Sequence, residues 1–232
     1  MEATVEALSR GLSLTEAEED LVALDVDHTK ATQLVASLCL IGKLLSVRPV
    51  NLAVMRATLV QVWRLFRGVK FSVVGENLFL LQFDHLVDKT KVLTNGPWSF
   101  DKHLLLLDNF DGSLQPSEVL LTYADFWIHA YDLPLVCMTR EVGLLIGRHL
   151  GEFLDMDYGA AGTAWGRFLR IRVKINVSHA LRWGMKISLP GRNVVWVSFT
   201  YERLPNFCYF CGKIGHGDKD PGTTPIWALS SY

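Results

Sequence analysis

At 232 residues, with 50% hydrophobic and 20% charged, the chain is long and apolar enough to bury a core, which excludes global disorder. No run reaches the ~20 uninterrupted apolar residues of a membrane helix. The start MEATVEALSRGLSL lacks the basic and apolar stretches of a secretory signal, and four cysteines make no disulfide framework, so an intracellular, reducing compartment without a membrane partner is expected. The net charge of −1 hides strong segregation: residues 1–32 carry −6, 33–74 carry +6, 75–162 carry −8, 163–217 carry +8 and 218–232 carry −1. Two basic blocks able to meet phosphate therefore stand beside two acidic blocks able to neutralise them.

In chain order, residues 1–32 read as a mobile acidic arm. Thr15 with Glu18 forms a capping box for a short helix over 15–24 that has few apolar residues to anchor it. SLCLIGKLLS (37–46) suits a buried strand. Pro49 opens a helical pattern in which Leu52, Met55, Leu59, Val62, Trp63 and Phe66 recur at core spacing, Arg56, Gln61, Arg64 and Arg67 fall mostly on other faces, and Gly68 stops it. VKFSVV (69–74) and LFLLQF (78–83) flank Gly75-Glu76-Asn77 as a hairpin, a short helix covers 85–95 up to Gly96-Pro97, and HLLLLD (103–108) makes a fourth strand. The order β-α-β-β-α-β is the split βαβ plan of ferredoxin-like domains.

Turn formers from Asn109 onward mark a linker. Beyond it, DFWIHAY (125–131) suits a strand, and Thr139 caps a helix over 140–150 that Gly151 ends. RFLRIRVKIN (167–176) alternates with Phe168, Arg170, Arg172 and Lys174 on one face. Strands over 184–189 and 194–201 flank Pro190-Gly191-Arg192-Asn193. The fold class is α+β, with these divisions: acidic arm 1–32, ferredoxin-like unit 33–110, linker 111–122, second α+β unit 123–204 with antiparallel strands, incomplete zinc knuckle 205–221 and tail 222–232. The nucleophile-elbow, phosphate-loop, metallopeptidase and dinucleotide motifs are all missing, and Asp155-x-Asp157 alone is a weak signal, so no enzymatic activity is expected.

The chemistry concentrates in Cys208-Tyr209-Phe210-Cys211-Gly212-Lys213-Ile214-Gly215-His216. Two thiolates two residues apart grip one Zn²⁺ from a tight turn, and His216 adds a third ligand once Gly212 and Gly215 let the chain wrap. The spacing is that of a CCHC zinc knuckle up to its fourth ligand, where Pro221 stands in place of cysteine. Zinc is therefore expected on Cys208, Cys211 and His216, more weakly than with a full set, with Asp218, Asp220 or water as the remaining donor. Around it, Arg170, Arg172, Lys174, Arg182, Lys186, Arg192, Arg203 and Lys213 are the candidates for tracking phosphates, and Tyr209 and Phe210 for stacking bases. An ordinary solvated strand face would show the same alternation at 168–174. Phe79 and Phe83 share a face with Leu81 that reads as core, unlike the aromatic platform of RNA-recognition domains. Trp165, Trp183 and Trp196 lie in the basic block and merit testing.

Several segments carry a resemblance: Gly96-Pro97-Trp98-Ser99-Phe100, Phe126-Trp127-Ile128, Leu133-Pro134, Ile146-Gly147 and Tyr201-Glu202-Arg203-Leu204-Pro205-Asn206-Phe207-Cys208. With the knuckle, they resemble the plant zinc-knuckle family of retrotransposon origin, in which a conserved domain of unknown function precedes a CCHC knuckle. That family is similar to the nucleic-acid-binding first reading frame of plant LINE-type elements. The resemblance covers roughly residues 14–220 and implies zinc binding and nucleic-acid binding without enzymatic activity, and single-stranded nucleic acid, RNA before DNA, is the expected partner. The alternatives are a self-assembly module, whose acidic arm docks on the basic block of another copy, and an inert truncated remnant.

Overall fold

The computed structural model describes residues 26–159, 164–189, 191 and 194–216. The helix expected over 15–24, Arg192, Asp218, Asp220 and Pro221 lie outside the described residues. The chain divides into residues 1–34 and 35–232. Of the former, residues 26–34 are described, and they begin helix α1 (Val26–Ser37), an element the sequence reading missed.

The described residues of 35–232 hold two antiparallel sheets of five strands each. The first comprises β1 (Cys39–Leu44), β2 (Val69–Gly75), β3 (Leu78–Phe83), β4 (Trp98–Phe100) and β5 (His103–Phe110), in the order β2-β3-β1-β5-β4. Helix α2 (Leu52–Trp63) links β1 to β2, and α3 (Leu86–Thr94) links β3 to β4. The short β4 was not expected. It pairs with β5 through a two-residue turn at Asp101 and Lys102, both at positive φ, as the twist of a tight hairpin demands.

Helix α2 starts later than Pro49 suggests, because the Asn51 side chain accepts from the backbone N–H groups of Ala53 and Val54. It also ends earlier, with Arg64 left-handed at its C-cap. Leu59, Met55 and Trp63 are buried as expected, but Val62 and Phe66 are exposed. Phe66 leaves the core face because buried Asp88 on α3 accepts hydrogen bonds from the Phe66 and Arg67 backbone N–H groups at 2.9 and 2.8 Å and holds the turn open.

The second sheet runs β7-β8-β6-β10-β9. Its strands are β6 (Tyr123–Tyr131), β7 (Glu152–Met156), β8 (Leu169–Asn176), β9 (Gly184–Ser188) and β10 (Val194–Tyr201). Helix α4 (Arg140–Leu150) lies against β7 and β8, capped by Thr139. At its end the chain passes so close to β8 that a Cβ on Gly151 would overlap the Lys174 backbone carbonyl, an atom that cannot swing aside. Gly151→Ala is therefore expected to cost about 2–3 kcal/mol, seen as a lower urea midpoint at unchanged slope.

Two apolar clusters organise these layers. On one face of the first sheet, Leu40, Phe79, Leu81, Phe83 and Leu105 pack against Met55, Leu59 and Trp63 of α2 and Val92 of α3. On the other face, Ile41, Leu78, Leu104 and Leu106 join Phe126, Ile128, Leu169, Ile171, Val173, Val197 and Phe199 of the second sheet in one core. The segments 33–110 and 123–204 thus each build a sheet, but the sheets share their interior. The outer face of the second sheet carries Trp127, His129 and Tyr131 of β6 with Arg170, Arg172 and Lys174 of β8. Among the described residues no helix is long and apolar enough to cross a membrane.

Candidate metal centre and nucleic-acid interface

After β10 the chain turns through Arg203, at positive φ, into the knuckle. The Cys208 N–H donates to the Lys213 carbonyl at 2.9 Å, and the Gly212 N–H donates back to the Cys208 carbonyl at 2.8 Å. Phe207 and Ile214 face each other as an antiparallel bridge. Gly212 and Gly215 sit at φ 72° and 102°, where a side chain would be strained, so the expected role of the two glycines is what the backbone requires. The loop brings the Cys208 and Cys211 sulfurs and a His216 ring nitrogen within 4.8 Å of one another, with Cys211 Sγ 3.0 Å from His216 Nε2. Zn–S bonds near 2.3 Å and Zn–N bonds near 2.0 Å set tetrahedral donors about 3.5–3.8 Å apart, inside the 4.8 Å span, so the His216 ring would move back slightly from Cys211 around an ion. The Cys-Cys-His cluster is consistent with one zinc ion. Burial pushes the Cys211 thiol up, a backbone hydrogen bond from Lys213 opposes this, and the neighbouring Cys208 thiol adds to it. A bound divalent cation acts in the opposite sense and favours thiolate.

The knuckle is not a bead at the end of a frayed segment. Cys208 and Ile214 are buried, and Ile214 belongs to the core shared by the two sheets. The Leu181 N–H donates to the Gly212 carbonyl at 2.7 Å, and the Asn206 N–H donates to the Lys102 carbonyl at 2.8 Å. A connection of each sheet, β8–β9 at Leu181 and β4–β5 at Lys102, therefore holds the loop and the segment leading into it.

The basic residues picked out in the sequence separate into two groups. Arg170 and Arg172 are engaged. Arg170 forks onto Glu202 at 2.6 and 3.0 Å, reaches Asp157 at 2.7 Å, and stacks 3.8 Å from the Trp127 ring centre. Arg172 bonds Asp125 at 3.0 Å. Lys174 faces the Tyr123 ring and stands opposite Glu152. The +8 segment thus meets the −8 segment across β6, β7 and β8, and the outer face offers few free cations. Arg182, Lys186, Arg203 and Lys213 are exposed. Arg203 donates to the Asn95 carbonyl and lies over the Trp98 ring. Tyr209 is 64% exposed, with its ring edge-on to Phe207, and Phe210 is half-buried. Phe79 and Phe83 are buried under the helices, and the helix-free face of the first sheet is sealed by the second, so neither face is open to bases.

Sequence reasoning missed Lys43, Arg48 and Lys102, which the fold carries from the first sheet to the grooves bordering the knuckle. For Lys43 and Arg48 the available signal was the +6 charge of residues 33–74, which has no spacing that points at the knuckle, and Lys102 lies in the acidic 75–162 segment with no such signal.

Two family profiles match the chain: the domain of unknown function DUF4283 over residues 33–118, and a zinc knuckle over residues 175–221. The chain carries a DUF4283 domain followed by a zinc knuckle. The knuckle profile begins within β8, so it takes in the last strands of the second sheet as well as the metal loop. Among curated proteins, the Arabidopsis thaliana "Uncharacterized protein At4g02000" is 26% identical over 130 residues, which are 56% of this chain and 41% of that protein. The match thus spans under half the length of that relative. This architecture is consistent with a plant family of the same layout.

Proposed function

We propose that the chain binds single-stranded nucleic acid, RNA before DNA, as a non-enzymatic zinc-knuckle protein similar to the nucleic-acid-binding part of plant LINE-type elements. The observation that carries this is the convergence of Cys208, Cys211 and His216 in a loop docked on the core, with Tyr209, Arg203 and Lys213 exposed around it. Zinc knuckles are a recurrent module for unpaired strands, whose bases stack on exposed aromatic rings. Zinc would hold the loop in shape. Tyr209 and Phe210 offer rings, and Arg203, Lys213, Arg182 and Lys186 offer charge to the backbone. The first sheet's order β2-β3-β1-β5, with α2 and α3 as crossovers, supports reading the DUF4283 domain as ferredoxin-like, with β4 added at its edge. The absence of enzyme motifs in the sequence supports a binding role.

The test is fluorescence anisotropy of a labelled single strand of about 20 nucleotides against the chain over a salt series. Binding should weaken steeply with salt, and zinc chelation or Cys208→Ser should weaken it by about tenfold or more. No binding at low salt overturns the reading.

A further inference from the structure

We propose that the DUF4283 domain completes the knuckle's nucleic-acid site. An unpaired base enters the groove between the end of β1 and the knuckle, while Lys43, Arg48 and Lys102 hold the flanking phosphates. This rests on the nucleic-acid reading above and adds residues to it from a part of the chain that reading does not use.

Three grooves border the docked loop. The first, about 670 Å³, has Leu45, Leu121 and Ile214 on its floor, with Lys43 from β1 and Lys213 from the knuckle on its rim. The second, about 510 Å³, lies between Arg48 and His216. The third, about 700 Å³, runs between Lys102 and Arg203. Each groove therefore sets a cation of the DUF4283 domain against the knuckle or the segment leading into it. An apolar floor with a cationic rim suits a nucleobase, which has an apolar face and a charged backbone on either side.

These cations are available. Lys43, Arg48, Lys102 and Lys213 are all exposed, Arg203 is exposed beside its hydrogen bond to the Asn95 carbonyl, and the four ion pairs among the described residues lie on the outer face of the second sheet instead. Asp101 is the carboxylate that borders the second groove. The cations are also placed by the backbone. Asn77, itself buried, donates from Nδ2 to the Ser46 and Arg48 carbonyls at 2.8 and 3.0 Å and pins the loop that carries Arg48. The Lys102 carbonyl is the acceptor that anchors Asn206.

The experiment uses the full zinc-loaded chain and a labelled 20-nucleotide oligouridylate. Three proteins are compared: the parent, Lys43→Gln/Arg48→Gln/Lys102→Asn, and a control with the same charge change, Arg67→Gln/Lys70→Gln/Lys91→Gln. Asn suits the left-handed backbone at residue 102. Melting curves establish that all three fold. At about 0.1 M salt the groove variant should bind about tenfold more weakly or worse, and its log–log salt slope should fall by about 2, since each single-strand phosphate contact contributes about 0.7. The control should stay within about twofold of the parent. Inorganic polyphosphate of matched length, which has no base for the groove, should compete at least about tenfold less well than unlabelled oligouridylate. A groove variant that binds like the parent, a control that loses as much, or polyphosphate that competes equally overturns the composite site while leaving the knuckle reading standing. A parent that does not bind removes both.

Discussion

Arg170→Glu is expected to lower the thermal midpoint by about 6–12 °C, which makes it a folding variant before it is a binding variant. Arg170 is the hub of the outer face, forked onto Glu202, bonded to Asp157 and stacked on Trp127, while His129 Nε2 lies 2.6 Å from the same Glu202 oxygen. Its side chain and that of Glu202 are 28% and 29% exposed. Reversing the charge leaves two carboxylates facing a third, a cost of about 3 kcal/mol for a broken, partly buried pair. At about 2–4 °C per kcal/mol for a chain of this size, the shift follows. The same network sets an acid limb. The hydrogen bonds from Arg170 pull the Glu202 carboxyl from 4.5 to about 2, against its burial and with help from His129. A depressed folded value means a contribution that is complete above the unfolded value near 4.5 and is lost as pH falls toward about 2. The parent should therefore lose stability between these limits more steeply than Arg170→Glu does, as urea midpoints at pH 7, 4.5 and 3 will show. A variant within about 2 °C of the parent at pH 7 contradicts the network's importance.

Zinc removal is the second large effect. With free zinc near 1,000 times its dissociation constant, binding to the folded state alone contributes about 4 kcal/mol, so chelation should lower the midpoint by about 8–16 °C. The shift should appear in the main transition, because Ile214 lies in the shared core and the Gly212 carbonyl is bonded from Leu181. Cys208→Ser should abolish the zinc response. Pro221→Cys restores a thiolate at the fourth knuckle position and should tighten zinc by at least about tenfold in a chelator competition. A main transition indifferent to chelator would contradict metal support of the loop. An unchanged affinity in Pro221→Cys would show that the donor set is already complete.

What was legible in the sequence was local. Thr139 and Gly151 bracket α4 with a side-chain cap and a close approach, and the alternation at 169–176 states which face of β8 is apolar. The metal donors are written in a spacing of nine residues, 208–216. What was not legible needed partners distant in the chain. The short β4 and β7 exist because β5 and β8 offer them an edge, and α2 stops early because Asp88 reaches over from α3. Charge segregation suggested that acidic and basic blocks would meet, but not that Asp125, Asp157 and Glu202 would take Arg170 and Arg172 out of play. Lys43, Arg48 and Lys102 carry no local pattern at all, since only the stacking of the sheets brings them to the knuckle.

That stacking has a consequence for how such chains can be cut and recombined. The DUF4283 match ends at residue 118 and the knuckle match begins at 175, as though two modules were strung together. Yet the face of the first sheet bearing Ile41, Leu104 and Leu106 is finished by strands from outside the DUF4283 match, with β6 in neither match, most of β8 in neither, and β10 in the knuckle match. A fragment ending at 118 would expose an apolar sheet to water and aggregate, and a transplanted knuckle would leave its floor behind. Residues 35–232 form one compact unit, and recombination at the boundaries of the two matches is expected to break it.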